Sequence, residues 1–247
     1  MSISKRDAIK AQRTKKKRQQ RRNTLLWAVG IIIVLLLLFA SPTIINALKP
    51  AGTFVRITPA AYPMENGKAI GSPNAKVKIV VYEDYQCPSC KLFTENDEKQ
   101  LLTSSYITNG QVYYELMMFP FLDANSITKE SHQAANASMC ASDQGHFWDY
   151  HAILFANQGT AENAGAFTDK RLQAFAESLG LDMNAFNSCF KANKFSTQIE
   201  AELQQGRNAG VTGTPGVLVN GKIITPGYIP SYDDLKTAID TALAGGG

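Results

Sequence analysis

Hydrophobic and polar positions divide the chain into one long apolar block followed by a series of shorter periodic segments. Leu25 to Ala40 is almost wholly apolar, and Ile44, Ile45, Ala47 and Leu48 continue the block beyond Pro42. Residues 49–74 carry Pro50, Pro59, Pro63 and Pro73 with Gly52, Gly67 and Gly71, a composition that favours an extended linker and approach segment over a helix. Val77 to Glu83 alternates early and is rich in β-branched residues, so it reads as a strand. Lys91 to Thr103 places Leu92, Phe93, Leu101 and Leu102 at helical spacing. Gln111 to Phe119, bounded by Asn109-Gly110 and Pro120, predicts a second strand. Helical patterns then cover Ile127 to Ser142, His146 to Ala156, Thr168 to Leu179, Asp182 to Ala192 and Ser196 to Ala209, the last three opening on capping residues. Gly216 to Val219 and Lys222 to Thr225 flank Asn220-Gly221, the strongest short hairpin signal, and Ser231 to Ala244 predicts a final helix. No internal repeat is visible.

Strand, helix, strand with a crossover of this length is a βαβ unit with parallel strands. The hairpin and last helix complete an α/β domain, 75–247, with a mixed sheet and a helical insertion at about 127–209.

Charge splits the chain. Met1 to Arg22 holds ten Lys/Arg and one Asp, whereas the remainder holds fifteen basic and twenty acidic residues. No residue between Arg22 and Lys49 is charged. An apolar block of about 20 residues is long enough to span a bilayer. The positive-inside rule then assigns 1–22 to a cytoplasmic tail, 23–48 to a single transmembrane anchor, and the later residues to the outer face of the cell membrane. A cleaved signal peptide is the alternative; the basic stretch is long for one, and no clean small-x-small site follows Leu38. The basic stretch abuts an apolar span, so it reads as an orientation signal rather than as a nucleic-acid site.

Cys87-Pro88-Ser89-Cys90 sits where the first strand hands over to the following helix. Cys87 falls near the N-cap, and Pro88 at the first helical position, where a missing N–H is harmless. The free N–H groups and positive end of a helix favour a thiolate, which makes Cys87 the better attacking and leaving sulfur. A zinc site would require a second CxxC or a His pair at suitable spacing, and neither is present. A purely structural disulfide is the other plain reading.

Residues 67–244 resemble the DsbA-like thiol–disulfide oxidoreductases, a thioredoxin fold with an inserted helical subdomain. The matching stretches are Gly71-Ser72-Pro73-Asn74-Ala75, Asp84-Tyr85-Gln86-Cys87-Pro88-Ser89-Cys90, Asp143 to His151, and Gly210-Val211-Thr212-Gly213-Thr214-Pro215. The layout is that of the membrane-anchored bacterial members. The resemblance implies that Cys87 is the nucleophile and Cys90 the resolving thiol. It implies that Pro215 is a cis-proline facing them, and that Thr214, with Pro88 and Ser89, meets an extended substrate. An ordinary trans turn proline is the alternative at 215. Four Cys allow three pairings. Several of the family's anchored members carry a second pair at such positions, so the resemblance implies a structural disulfide between Cys140 and Cys189, with a second redox pair as its rival. It implies no organic cofactor beyond the Cys87–Cys90 disulfide. Its implied partners are reduced or unfolded exported proteins and a membrane quinone-linked reoxidase, DsbB-like or vitamin K epoxide reductase-like. Two departures stand out. Ser89 occupies the place where strongly oxidising members often carry His, and Gly216 follows Pro215 where a larger residue is common.

Asp84, at a family position, is a candidate proton relay for Cys90 or else the solvated end of a strand, and Glu83 reads as the solvated end of a strand. His132, His146 and His151 are not joined by a convincing carboxylate or Cys set, so no metal is expected. The expected activity is therefore dithiol oxidation of exported proteins. A reductase or isomerase of the same fold, and a tethered non-enzymatic binding or chaperone module, are the alternatives.

Overall fold

The computed structural model describes the backbone of residues 5–48, 50–124 and 126–245, and the side chains of 13, 15–35, 50–124 and 126–245. Residues 1–4 of the expected tail, Lys49, and the side chains of 36–48 in the expected anchor lie outside the described residues. Two compact units result, Met1–Pro50 and Ala51–Gly247. The first is one helix, α1 (Lys5–Leu48). Its large apolar side chains from Leu25 to Leu35 are 45–75% exposed. Among the described residues no helix is long and apolar enough to cross a membrane.

The second unit is built on a five-stranded sheet in the order β1-β3-β2-β4-β5. β2 (Val77–Glu83) runs parallel to β3 (Val112–Met118) and antiparallel to β4 (Gly216–Val219), so it is the central strand. Its inward positions Val77, Ile79 and Val81 are fully buried. β4 turns through Asn220 and Gly221, both at positive φ, into β5, which is only Lys222–Ile223. β1 (Ala69–Gly71) lies inside the expected linker and pairs antiparallel with β3, a three-residue strand too short to show a period. Gly71 ends it at φ +95°, where a Cβ would stand 2.3 Å from the Val112 carbonyl oxygen. Upstream, the Asn157 amide both donates to the Val55 carbonyl and accepts from its N–H, at 2.8 and 2.7 Å, and Phe54 meets Phe175 edge-on.

The helix after the motif is not regular. α2 (Pro88–Phe93) runs into a π turn, Thr94–Glu98, then α3 (Lys99–Leu102) and the short α4 (Ser105–Thr108). The wider π turn brings Glu98 into the core at 1% exposure.

In the insertion, α5 (Glu130–Ser142) packs against α6 (Phe147–Ala156), α7 (Asp169–Ser178), α8 (Met183–Lys191) and α9 (Ser196–Asn208). α5 starts three residues later than the pattern predicts. Its first N–H groups are taken by Asp123, from a 3-10 turn at Phe121–Asp123, through Ser131 N at 3.2 Å and His132 N at 2.7 Å. Asp182 caps α8 as expected, whereas Ser196 lies inside α9, whose N-cap is Phe195. α10 (Tyr232–Leu243) opens on a capping box between Ser231 and Asp234.

Candidate functional site

The sheet register assembles the site. Tyr82 pairs with Gly216, so the residues before β4 lie beside the carboxyl end of β2, from which the motif departs. The Thr214–Pro215 peptide bond is cis. The Thr214 carbonyl oxygen accepts from Cys87 Sγ at 3.3 Å. Cys87 is the N-cap of α2 with Pro88 at the first helical position. Cys87 is 7% exposed and Cys90 fully buried, both as free thiols. Pro88 is exposed and Ser89 half-buried. Ser89, Thr214, Pro215, Ile223 and Tyr228 border a cleft of 320 Å³. A larger cleft, 740 Å³, lies between Phe121, Lys129 and Arg207 and reaches neither thiol.

The Cys87 thiol is lowered to about 6. The hydrogen bond from Cys90 contributes most, burial opposes it, and Thr214 and the backbone N–H groups of Cys90 and Ser89 add to it. The sequence pointed to the helix terminus as the main source. In the structure the neighbouring Cys90 thiol is the larger source, and the backbone N–H groups of Cys90 and Ser89 are smaller ones. The Thr214 hydroxyl is buried with no hydrogen-bond partner among the described residues, leaving its proton for a thiolate. Burial pushes the Cys90 thiol well up, and so do the Cys87 hydrogen bond and the charge on Glu83.

Neither acidic residue before the motif is solvated. Asp84 is 1% exposed and accepts from Ser131 Oγ at 2.6 Å, Gln86 N at 2.9 Å and Leu122 N at 3.0 Å. Burial raises its carboxyl to about 7 in spite of those bonds. The bonds tie the loop before Cys87 to the insertion, and none reaches a thiol. Glu83 is not a solvated strand end. It is 2% exposed, lies 3.1 Å from His151 Nε2, and accepts from Thr94 at 3.4 Å. Its carboxyl is pushed well up by burial and responds to the charge on Cys87.

Two amides hold the motif loop: Gln86, which lies in a stretch that carries the resemblance but was assigned no role, and Gln158, which carried no signal in the sequence. Gln86 donates to Ser131 Oγ at 2.7 Å and accepts from Asn163 N at 2.5 Å. Gln158 donates to the carbonyls of Tyr85 and Cys87 at 2.7 and 3.0 Å.

Cys140 on α5 and Cys189 on α8 form a disulfide, with Cα atoms 5.8 Å apart. His146 pairs with Asp149 at 3.0 Å, and His132 borders the larger cleft. His151 does acquire carboxylate neighbours, Glu83 and Glu98, which its place in the sequence did not indicate. Those groups bond to one another, to Thr94 and to Tyr114.

The family described as Thioredoxin matches residues 64–241. Na(+)/H(+) antiporter NhaA 1 of Salinispora arenicola is 31% identical over 175 residues, which is 71% of this chain but only 24% of the antiporter. Disulfide bond formation protein D of Bacillus subtilis is 29% identical over 179 residues, covering 71% of this chain and 77% of that protein. The crystal structure of oxidised BdbD from Bacillus subtilis superposes with a TM-score of 0.63 at 25% identity, over 77% of this chain and all of that one.

Proposed function

This chain belongs to the thioredoxin family and is a thiol–disulfide oxidoreductase, and we propose that it acts as a dithiol oxidase of exported proteins, held at the outer face of the cell membrane by its N-terminal helix. The observation that carries the reading is the Cys87 thiol, lowered to about 6 and set against a cis Thr214–Pro215 bond. A thiolate that stable is a good leaving group and makes the oxidised pair a strong acceptor of electrons.

A substrate thiolate attacks Cys87 Sγ in the Cys87–Cys90 disulfide. The S–S bond breaks and its electron pair goes to Cys90 Sγ. A second substrate thiolate then attacks the substrate sulfur of the mixed disulfide, and Cys87 leaves as a thiolate. Pro215, Thr214 and Ser89 border the cleft where an extended substrate would lie, and Pro88 is exposed next to Ser89, outside the cleft's lining. Cys90 is sealed from water, so its departing sulfur requires a proton from inside the protein. Glu83, whose charge acts on Cys90, fits that role better than Asp84. Reoxidation falls to a quinone-linked membrane protein of the DsbB or vitamin K epoxide reductase kind. The apolar, uncharged stretch from Asn23 to Leu48, with the exposed side chains of Leu25 to Leu35, supports the anchor.

A reductase or isomerase is the second reading, favoured by Ser89, which adds no positive charge beside Cys87. Equilibration of the Cys87–Cys90 pair with glutathione separates the two. An oxidase is reduced by glutathione mixtures that leave ordinary structural disulfides intact. A couple that stays oxidised in them would overturn the oxidase reading. Cys87→Ser is expected to abolish oxidation of a reduced, unfolded test protein; retained oxidation would remove Cys87 from the mechanism.

A further inference from the structure

Beneath the motif, three elements place titratable groups within reach of one another. Glu83 comes from the end of β2, Glu98 from the π turn and His151 from α6. Their donor and acceptor atoms all lie within 4.8 Å of each other. His151 Nε2 is 3.1 Å from Glu83 and 4.0 Å from Glu98, and all three side chains are at most 3% exposed. The Tyr114 hydroxyl, from β3, donates to Glu98. Phe147, Trp148, Phe155 and Tyr85 close around the His151 ring at centroid distances of 6.1, 5.4, 5.0 and 5.7 Å. The other titratable groups turned toward the cluster are Cys87 at the N-cap of α2, Cys90 within it, Tyr85 after β2, and Tyr62 on the approach segment. Among the described residues no Lys or Arg makes an ion pair with Glu83 or Glu98.

Two carboxylates cannot both be ionised in a dry site without a cation beside them. The cluster therefore retains at least one proton at neutral pH, and its neighbour Cys90 is a sulfur that must gain and lose one.

We propose that Glu83, His151 and Glu98 form a shared proton store that gives a proton to Cys90 Sγ when the Cys87–Cys90 bond opens and takes it back when the bond closes. This rests on the oxidoreductase reading of that pair. When substrate sulfur bonds to Cys87, the S–S electron pair passes to Cys90 Sγ, which takes the proton of the Glu83 carboxyl. The Glu83 carboxylate left behind accepts the His151 N–H, and Glu98, bonded to Tyr114, sets how readily His151 holds its own proton. On reoxidation the Cys90 thiol returns its proton to Glu83 as its sulfur attacks. His151 and Glu98 are positioning residues in this scheme, and the helical insertion, through His151, registers the redox state of the thiols.

The test is ¹⁵N NMR of the histidine rings in the full chain, held in detergent micelles, compared between oxidised and reduced forms from pH 5 to 9. The chain has three His, and His132→Gln and His146→Gln identify the His151 signals by elimination. The His151 ring shifts are expected to differ between the two redox states, with His132 and His146 unchanged. His151→Gln and Glu98→Gln are each expected to slow closure of the Cys87 mixed disulfide by Cys90 about tenfold at pH 7 and to move its pH profile. Identical His151 shifts in both states across the range would overturn the proposal, whatever the variants do, so a variant that fails to fold leaves the test intact. A chain that oxidises thiols normally but has a redox-indifferent His151 defeats this inference alone. A chain with a redox-linked His151 that oxidises no protein defeats the oxidase reading alone.

Discussion

Cys87 is reactive because of the partners its thiolate keeps. With its pKa lowered to about 6, ionisation is half complete there, and alkylation by iodoacetamide is expected to rise through pH 6 and level off by about pH 8. At pH 6 it should alkylate about tenfold faster than a thiol in an unfolded peptide, the gain in thiolate outweighing its weaker nucleophilicity. A profile centred above pH 8 would refute the assignment. Thr214→Val tests one named contributor. It removes the otherwise unpartnered hydroxyl while keeping the side chain's shape, and is expected to raise the Cys87 pKa by roughly half a unit, read from the same alkylation profile.

At the scale of elements, α9 crosses the outer face of the sheet on Gly206. A Cβ there would stand 2.7 Å from the Phe119 ring and 2.8 Å from the Tyr82 ring. Neither ring can swing aside, since they pack edge-on against each other at 5.9 Å. Gly206→Ala is expected to cost about 1–3 kcal/mol in denaturant unfolding, against the usual gain from Ala in a helix. No loss would mean that α9 is free to move outward. This close approach matters to the site because Tyr82 is paired with Gly216, next to the cis-proline.

The whole molecule stores its acidic groups unusually dry, and that sets its response to pH. Burial holds both Asp84 and Glu98 up at about 7. In the unfolded chain such carboxyls titrate near 4. Between about pH 4 and 7 the unfolded chain gives up protons that the folded chain keeps, so in the oxidised form, where Cys87 has no thiol to titrate, stability falls as pH rises through that window and is then level. Each group contributes on the order of 3 kcal/mol. The thermal midpoint is therefore expected to be higher at pH 5 than at pH 8, and an equal or higher midpoint at pH 8 would show that these groups ionise freely. Stability also draws on the Cys140–Cys189 bond, which closes a loop of 49 residues. Replacing both Cys by Ala is expected to remove about 4 kcal/mol in the chain-entropy treatment, measured by denaturant unfolding.

Much of this protein follows from local sequence. Alternation at 77–83, helical spacing in the insertion, Asn220-Gly221 at the hairpin and Cys87-Pro88 at a helix start are short-range signals, and each acts through a few neighbouring residues. Those signals suffice for the sheet's central strands, the helices and the place of the thiols. The tertiary structure alone decided which carboxylate lies beside His151. Glu83 and Asp84 are adjacent in sequence, but strand alternation turns them to opposite sides, one toward His151 and the other toward Ser131. Glu98 reaches the same pocket only because a π turn shifts the helix phase, and His151 only because the insertion folds back over the motif. Such groups are separated by as many as 68 residues along the chain, so their meeting is a property of packing that no local pattern encodes.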